Sequence, residues 1–329
     1  MEINILGGGP AGSAAAIAAL TAAVPARIFE RSSRRRHKVC GEFITPEACG
    51  VLQELGVWDE FLHLRPARIR RCNLHFGGTT KTWELPECGF GLSRYELDGL
   101  LLRRAEALGA TVVRGESTHG SGAGPLIVAS GRNAPAPRGN RLFGFKSHFA
   151  GPADENVELF FFRGGYIGLS AVENGITNVC GLAPEGDLRA CGFRLDEFVA
   201  RLKPLAERLR PLARIMEWLT VGPLVFSDRI DGPVTPDTYP AGDALGFIDP
   251  FTGSGILNAL LTGRLAGSAA ARRIPSHDYV ERCRGLLERP YWASTLMRAA
   301  LKLDCVGRLA ALIPGQWLFR LTRIGPTAI

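Results

Sequence analysis

The sequence predicts an α/β fold in which a parallel dinucleotide-type sheet is interrupted by a strand-rich block and followed by a helical tail. Three observations predict it. Ile3, Ile5 and Leu6 form an apolar, β-prone run that meets Gly7-x-Gly9-x-x-Gly12 and then an alanine-rich stretch. A second such run, Ala26 to Phe29, is closed by Glu30, about eighteen residues beyond Gly12. Between Leu142 and Leu182 short strand-like runs replace helical periodicity, and after Tyr239 a glycine-rich turn opens a long helix of small residues.

Each part of the first motif has a physical reason. Gly7 permits the tight turn, Gly9 lets a pyrophosphate approach the backbone, and Gly12 lets the helix pack closely on the strand. The helix opening at Pro10 and Ala11 offers unpaired amides and partial positive charge to phosphate. Glu30 is placed to accept hydrogen bonds from a ribose. Arg31 begins a basic loop, Arg31 to Lys38, from which one or two groups can reach phosphate.

Further along, Thr45-Pro46-Glu47-Ala48 carries a helix-start signature, with Pro at the first helical position and an end near Leu55-Gly56. Arg68 to Trp83 reads as a hairpin around Gly77-Gly78. Ser93-Arg94-Tyr95-Glu96 caps a helix from Leu97 to Leu108, stopped by Gly109 and followed by a strand at Ala110 to Val113. A strand at Leu126 to Ala129 comes next, then a Pro-rich stretch from Asn133 to Gly139 that reads as a surface loop. Asn174-Gly175 between two strand-like runs is a strong hairpin signal, so this block reads as an antiparallel sheet. Residues 194–219 read as helical, with breaks at Pro204 and Pro211, and the last fifty residues read as helical, basic and apolar.

Composition narrows the function classes. Of 329 residues, 46% are hydrophobic and 22% charged, an ordinary globular balance. The net charge of +7 is scattered and accompanies no nucleic-acid reader motif, so no nucleic-acid partner is predicted. Met1 runs directly into the first strand, leaving no room for a signal peptide, and the expected location is the cytoplasm. The most apolar stretch, Gly255 to Ala271, is broken by Arg264 and is too short for a membrane span. The eight cysteines form no CxxC pair and have no His partner at metal spacing, so they read as free thiols and no metal site is predicted.

The more specific motif is Ala241-Gly242-Asp243-Ala244-x-Gly246-x-x-Asp249-Pro250-x-x-Gly253-Ser254-Gly255-Ile256. With Gly7 to Gly12, Glu30, Lys38-Val39-Cys40-Gly41 and Arg94 with Asp98, it resembles the FAD-dependent oxidoreductases of the p-hydroxybenzoate hydroxylase fold, in their geranylgeranyl-reductase-like branch. The resemblance implies an FAD-binding Rossmann-like domain of the glutathione-reductase type, with an inserted antiparallel β-sheet substrate domain. The implied division is 1–67, 90–141 and 222–273 for the discontinuous FAD-binding domain, 68–89 and 142–221 for the substrate domain, and 274–329 for the C-terminal helical segment.

By the same resemblance, Asp243 binds the ribityl chain and Arg94 pairs with ribityl or phosphate oxygens. Gly253, Ser254, Gly255 and Ile256 open a helix whose amides face the N1 to O2 edge of the flavin, where reduction builds up negative charge. Pro250 presses on the flavin face, and Cys40 and Gly41 form a turn beside the ring. Cys40 and Pro250 are the candidate catalytic positions, with the flavin carrying the electrons. Phe162, Tyr166 and Leu169 are the candidate substrate contacts, drawn from a pool that also holds Phe143, Phe145, Phe149 and Phe160, of which half must face away.

Three departures from the family pattern bear on the reaction. The middle signature reads Ala129-Ser130-Gly131-Arg132 where the family usually has Asp-Gly, which bears on NAD(P)H as the transient reductant. About a dozen residues between Val113 and Leu126 replace a three-stranded meander, leaving room for little more than a turn. Tyr166-Ile167-Gly168-Leu169-Ser170 lacks the tunnel-lining aromatics of geranylgeranyl reductases, and the Trp-x-Trp element of flavin-dependent halogenases is missing. Two reactions stay open on a small apolar substrate: monooxygenation, ranked first, and reduction of a C=C bond. A non-catalytic flavin-binding module is the alternative of another class. The tail from Tyr291 to Arg323 interleaves apolar side chains with arginines and lysines, a pattern suited to peripheral contact with an anionic membrane.

Overall fold

The computed structural model describes residues 1–76, 78–116, 124–132, 141–227, 230 and 235–300. Along the chain run β1 (Ile3–Leu6), α1 (Pro10–Thr21), β2 (Ala26–Glu30), β3 (Phe43–Ile44), α2 (Pro46–Glu54), α3 (Trp58–His63), β4 (Ala67–Phe76), β5 (Thr79–Gly91), α4 (Arg94–Ala107), β6 (Thr111–Arg114), β7 (Leu126–Val128), β8 (Leu142–Ala150), β9 (Asn156–Phe162), β10 (Gly165–Ala171), β11 (Ile176–Pro184), α5 (Glu185–Arg189), α6 (Leu195–Arg201), α7 (Lys203–Leu209), β12 (Ala213–Arg214), β13 (Leu219–Leu224), β14 (Thr238–Pro240), α8 (Gly255–Ala271) and α9 (Ser276–Ala300). The Pro-rich stretch at 133–139 and the tail beyond residue 300 lie outside the described residues. Among those described, no helix is long and apolar enough to cross a membrane.

The first sheet has strand order β14-β7-β1-β2-β6, and every pairing in it is parallel. Ile3, Ile5, Ile28 and Ile127 are fully buried in its core, as expected of strands covered on both faces. Helices α1 and α8 approach at backbone distance: a Cβ on Gly263 would lie 2.1 Å from the Ala11 carbonyl oxygen, and one on Gly267 would lie 2.1 Å from that of Ala15. The alanine- and glycine-rich composition of both helices is what permits this approach. It carries the 242–256 segment to the N-terminus of α1.

The second sheet has nine strands in the order β12-β8-β11-β10-β9-β4-β5-β3, with β13 also on β8. It differs from the antiparallel expectation at one junction, where β4 and β9 pair in parallel and so join the two strand-rich stretches. The expected hairpins form, β4 with β5 from Phe76 opposite Thr79, and β10 with β11 through Asn174 at φ +60°. Residues 194–219 are helical only as far as Leu209. Beyond Pro211, Ala213–Arg214 and Leu219–Leu224 are strands on the edge of β8, whose free backbone groups need partners.

The link from β6 to β7 is not a turn between neighbours, because β2 and β1 lie between these strands. Three strand spacings, roughly 14 Å, separate them. Residues 115–125 are long enough to cover that distance.

Strand alternation divides the second sheet into two faces. Phe145, Phe149, Phe160, Ile167, Leu169 and Val179 pack under α5, α6 and α7. Lys146, His148, Tyr166, Asn178, Cys180 and Leu182 point the other way, toward the 38–44 and 242–256 segments.

Candidate cofactor and active site

The glycine motif forms a cradle with no room for side chains at two of its positions. Gly7 adopts φ +100°, and a Cβ there would lie 2.4 Å from the Ala129 carbonyl oxygen. At Gly12 a Cβ would lie 1.8 Å from the Gly7 carbonyl oxygen. Gly9 differs, since the groups nearest a Cβ there would be the Arg94 guanidinium at 3.7 Å and the Lys38 ammonium at 3.8 Å. The N-terminus of α1, with Pro10 first and Gly9 as its cap, thus faces two cations. Both are held by Asp98: Arg94 donates through Nε at 2.6 Å and Nη2 at 3.0 Å, and Lys38 Nζ at 2.8 Å. Burial would raise the Asp98 pKa, but Arg94 and Lys38 bring it below the usual carboxylate range.

Glu30 sits at the end of β2 with Oε2 accepting the Gly8 amide at 2.8 Å and Oε1 accepting that of Ser32 at 2.9 Å. Partial burial opposes its ionisation, but these two amides and Lys38 lower its pKa. Each oxygen keeps a lone pair for a ribose hydroxyl. The cleft beside Glu30 is lined by Ser32, Arg34, Arg35, Arg36, Tyr95 and Arg114, among others. Arg31, the basic residue singled out from the sequence, is exposed and does not line this cleft.

The second half of the cradle is the 242–256 segment. Gly242 (φ +60°) lies against Ala11, where a Cβ would be 3.0 Å from that of Ala11, and its amide donates to Thr262 Oγ1 at 2.9 Å. Asp243 is exposed along the groove yet surrounded by protein. That enclosure pushes its carboxyl pKa up, against the pull of Arg94 and Arg132. Pro250 opens a short 3-10 turn whose cap, Asp249, accepts the Phe251 amide at 3.2 Å. Gly253 takes the left-handed conformation at φ +66°, Ser254 is buried at the cap of α8, and Ile256 anchors the first turn in the core. Helix α9 closes over this segment. Arg298 pairs with Asp249 at 3.3 Å, and the Tyr291 hydroxyl lies where a Cβ on Gly246 would be.

The 38–44 segment crosses the inner face of the second sheet. Val39 packs where a side chain on Gly144 would go, and the Cys40 and Gly41 carbonyls accept from Asn178 Nδ2 at 3.1 and 2.9 Å. The Cys40 thiol accepts the Glu42 amide at 3.4 Å and lies beside the Arg94 guanidinium. Gly41 and Gly255 are both exposed, with open space where a Cβ would be. Beside this turn lies an apolar cluster of Tyr166, Leu182 and Leu224, with Phe161, Phe226, Phe247 and Phe251 packed against it. Burial raises the Tyr166 phenol pKa well above its ordinary value, and nearby Asp249, Cys180 and Cys40 add to the effect.

Of the three substrate contacts expected from the sequence, Tyr166 alone faces this cluster. Leu169 lies in the core under α5 to α7, and Phe162 packs edge-on against Phe198 of α6 with ring centroids 5.6 Å apart. The register explains the correction. Tyr166 pairs with Phe161 and Leu182, whereas Phe162 pairs with Gly165 and Leu169 lies an odd step from Tyr166, so both point to the opposite face. The other aromatics of the expected pool, Phe143, Phe145, Phe149 and Phe160, also pack on the helical side.

Glu42, Lys146, His148 and Asn178 were missed by sequence reasoning. Glu42 accepts from Lys146 Nζ and, at 2.6 Å, from the Arg94 amide on Oε1, and its Oε2 lies 2.8 Å from His148 Nε2. Donor atoms of His37, Glu42 and His148 lie within 4.8 Å of one another, but the Lys146 ammonium already occupies the cation position on this carboxylate. The one available signal was the polar run Lys146-Ser147-His148 between Phe145 and Phe149 in an otherwise apolar strand.

The site matches the donor set FAD requires. A glycine cradle at a helix N-terminus with two cations suits a pyrophosphate, Glu30 suits a ribose, Asp243 suits a polyol chain, and the exposed Gly41 and Gly255 leave room for a flat ring.

No protein-family model matches the chain. It is 28% identical over 320 residues to a menaquinone reductase of Mycolicibacterium smegmatis, covering 80% of this chain and 75% of that protein. Its fold is shared with a geranylgeranyl bacteriochlorophyll reductase-like protein from Thermoplasma acidophilum (TM-score 0.76, 20% identity, 99% of this chain and 94% of that one). A flavin-dependent brominase also has this fold (TM-score 0.79, 17% identity, 98% and 93%). The chain is therefore an FAD-dependent oxidoreductase, similar in sequence to a menaquinone reductase and in fold to a geranylgeranyl-reductase-like protein and a flavin-dependent brominase.

Proposed function

We propose that this oxidoreductase reduces a C=C bond in a long apolar isoprenoid, an isoprenoid quinone being the best-supported substrate, with NAD(P)H as the transient reductant. The observation that carries the reading is the apolar cluster around Tyr166, Leu182 and Leu224, set between the Cys40 turn and the Pro250 segment. The menaquinone reductase relative supports the substrate class. When bound, FAD supplies a two-electron hydride donor.

The chain's own residues do the rest. The amides at the N-terminus of α1, with Arg94 and Lys38, bind the pyrophosphate, and Glu30 and Asp243 take the ribose and ribityl hydroxyls. The N-terminus of α8, opening at Gly255, would stabilise negative charge on the bound ring. Pro250 and the Cys40–Gly41 turn orient the ring, and the apolar cluster excludes water. Tyr166, whose phenol is protonated at neutral pH and made still harder to ionise by burial, would be the proton source within that cluster for the carbon beside the one receiving hydride.

The test is anaerobic. FAD-loaded protein, chemically reduced, is mixed with a menaquinone-type quinone. Flavin reoxidation supports the reading when, after the quinone ring has been reoxidised in air to remove any quinol, the product still carries two added hydrogens in its isoprenoid chain; quinol formation alone would refute it. Oxygenation, ranked first from the sequence, is tested in the same instrument: no anaerobic reoxidation, together with oxygen-dependent hydroxylation of an apolar ligand, would refute the reductase and establish the oxygenase.

A lipid-borne substrate also needs a route to the site. Trp292 and Leu296, one turn apart on α9, are 61% and 54% exposed, with the exposed Arg289 close by. This face is proposed to rest on an anionic membrane surface. The double variant Trp292→Ser/Leu296→Ser is expected to lose flotation with anionic vesicles, and unchanged flotation would remove this face from the reading.

A further inference from the structure

Three features converge on Glu42, a residue that lies outside the cofactor cradle. Its backbone is left-handed at φ +57°, a conformation that strains a residue with a side chain. Its side chain and that of Lys146 have no exposed surface. Its carboxylate is engaged by groups from two separate elements, Lys146 and His148 of β8 and the amide of Arg94, which opens α4. A buried ion pair of this kind contributes little to stability that a well-packed apolar pair would not supply. Strain and buried charge at one residue therefore point to a geometric role.

What Glu42 connects defines that role. It follows directly on the Cys40–Gly41 turn, whose carbonyls are held by Asn178. Through Arg94 it fixes the first turn of the helix that presents a cation to Gly9. Through β8 it ties both to the sheet that carries Tyr166. We propose that Glu42, with Lys146 and His148, is a positioning residue that sets the Cys40–Gly41 turn and Arg94 against the flavin and fixes the cofactor domain relative to the substrate sheet. The inference rests on the assignment of the Cys40–Gly41 turn to the flavin side.

The experiment uses the full chain, with and without FAD, and reads apo thermal midpoint, FAD dissociation constant, bound-flavin absorbance spectrum, kcat and KM. Glu42→Gln leaves the Lys146 charge buried and unpaired, so the midpoint falls. Glu42→Gln/Lys146→Met removes both charges and is expected to recover the midpoint. It should still show a displaced flavin spectrum, weaker FAD binding and a kcat lowered by about tenfold or more, with KM within about twofold.

His148→Gln, which keeps the Glu42–Lys146 pair, is expected to shift the spectrum in the same direction and decides the matter should the double variant not fold. Glu158→Gln breaks a buried network with His75 and Arg208 on the far face of the sheet. It should lower the midpoint but leave spectrum and kcat at wild type. Wild-type spectrum and FAD affinity in Glu42→Gln/Lys146→Met, or in His148→Gln where the double variant does not fold, would overturn the proposal and leave Glu42 a structural residue. Gly41→Ala separates the two levels, since a wild-type flavin spectrum in that variant would mean that the turn is not beside the ring.

Discussion

Two glycines three residues apart should respond to the same methyl group in opposite ways. At Gly9 the backbone φ is −79°, which alanine adopts freely, and the nearest groups to an added Cβ are cationic side-chain ends at 3.7 and 3.8 Å. Alanine is a poorer helix cap than glycine by about 0.5–1 kcal/mol, and its stiffer unfolded chain returns about the same. Apo stability is therefore expected to change by less than about 0.5 kcal/mol, the residue of these two opposing effects.

The methyl would, however, stand beside Arg94 and Lys38 at the N-terminus of α1, where the pyrophosphate is proposed to bind. Losing one charge-assisted hydrogen bond costs about 1.5–3 kcal/mol, or roughly 10- to 150-fold in FAD affinity. At Gly12 the Cβ would lie 1.8 Å from the Gly7 carbonyl oxygen, so helix and strand must separate by about 1.5 Å to reach ordinary contact. That displacement should cost upwards of about 3 kcal/mol of stability. Apo thermal unfolding and FAD titration by fluorescence quenching read the two effects separately. Wild-type FAD affinity in Gly9→Ala, or wild-type stability in Gly12→Ala, would refute the assignment of the cradle.

Asp243→Asn is expected to stabilise the apo protein slightly, by less than about 1 kcal/mol given solvent screening of this exposed carboxylate, while weakening FAD binding; a calorimetric melt and a titration check it. Leu169→Ala should cost about 2–5 kcal/mol of stability with KM unchanged, whereas Tyr166→Leu should alter kcat and KM with a smaller stability change, which steady-state kinetics and urea unfolding distinguish. Glu30, Glu42 and Asp98 are all held below their ordinary pKa values of 4.5, 4.5 and 3.8. A depressed folded pKa stabilises above the unfolded value and ceases to do so as pH falls through the folded one. The urea midpoint should therefore drop below about pH 4.5, and Asp98→Asn should make that acid slope shallower. Asp243 and Asp249, with raised pKa values, act in the opposite sense on the same curve.

The cofactor half of the fold was legible because its constraints are local. Gly7, Gly9, Gly12 and Glu30 sit within one βαβ unit, and Gly253 and Asp249 within one turn, so spacing alone specifies their geometry. The substrate face was not, because which of Phe162, Tyr166 and Leu169 points inward depends on a register fixed by β9, β10 and β11 together. A shift of one residue exchanges the two faces. Glu42 was invisible for a similar reason, since its partners Lys146 and His148 lie about a hundred residues away along the chain. Ala213 to Leu219 was misread because a helical run interrupted at Pro211 looks the same whether or not a sheet edge is waiting to be paired.

The contact of α1 with α8 carries a consequence for how the protein is made. The phosphate cradle opens at residue 7, but its opposite wall is anchored by Gly263 and Gly267 lying on Ala11 and Ala15. A nascent chain that has emerged only as far as β14 has strands for the first sheet but an uncovered α1. A fragment ending there should take up the adenosine end of FAD without retaining it. Loading is therefore expected to follow the emergence of Ala271, and so many contacts between distant parts of the chain should make folding slow. When flavin is scarce, the population at risk is the finished apo chain, with its cradle formed but unoccupied.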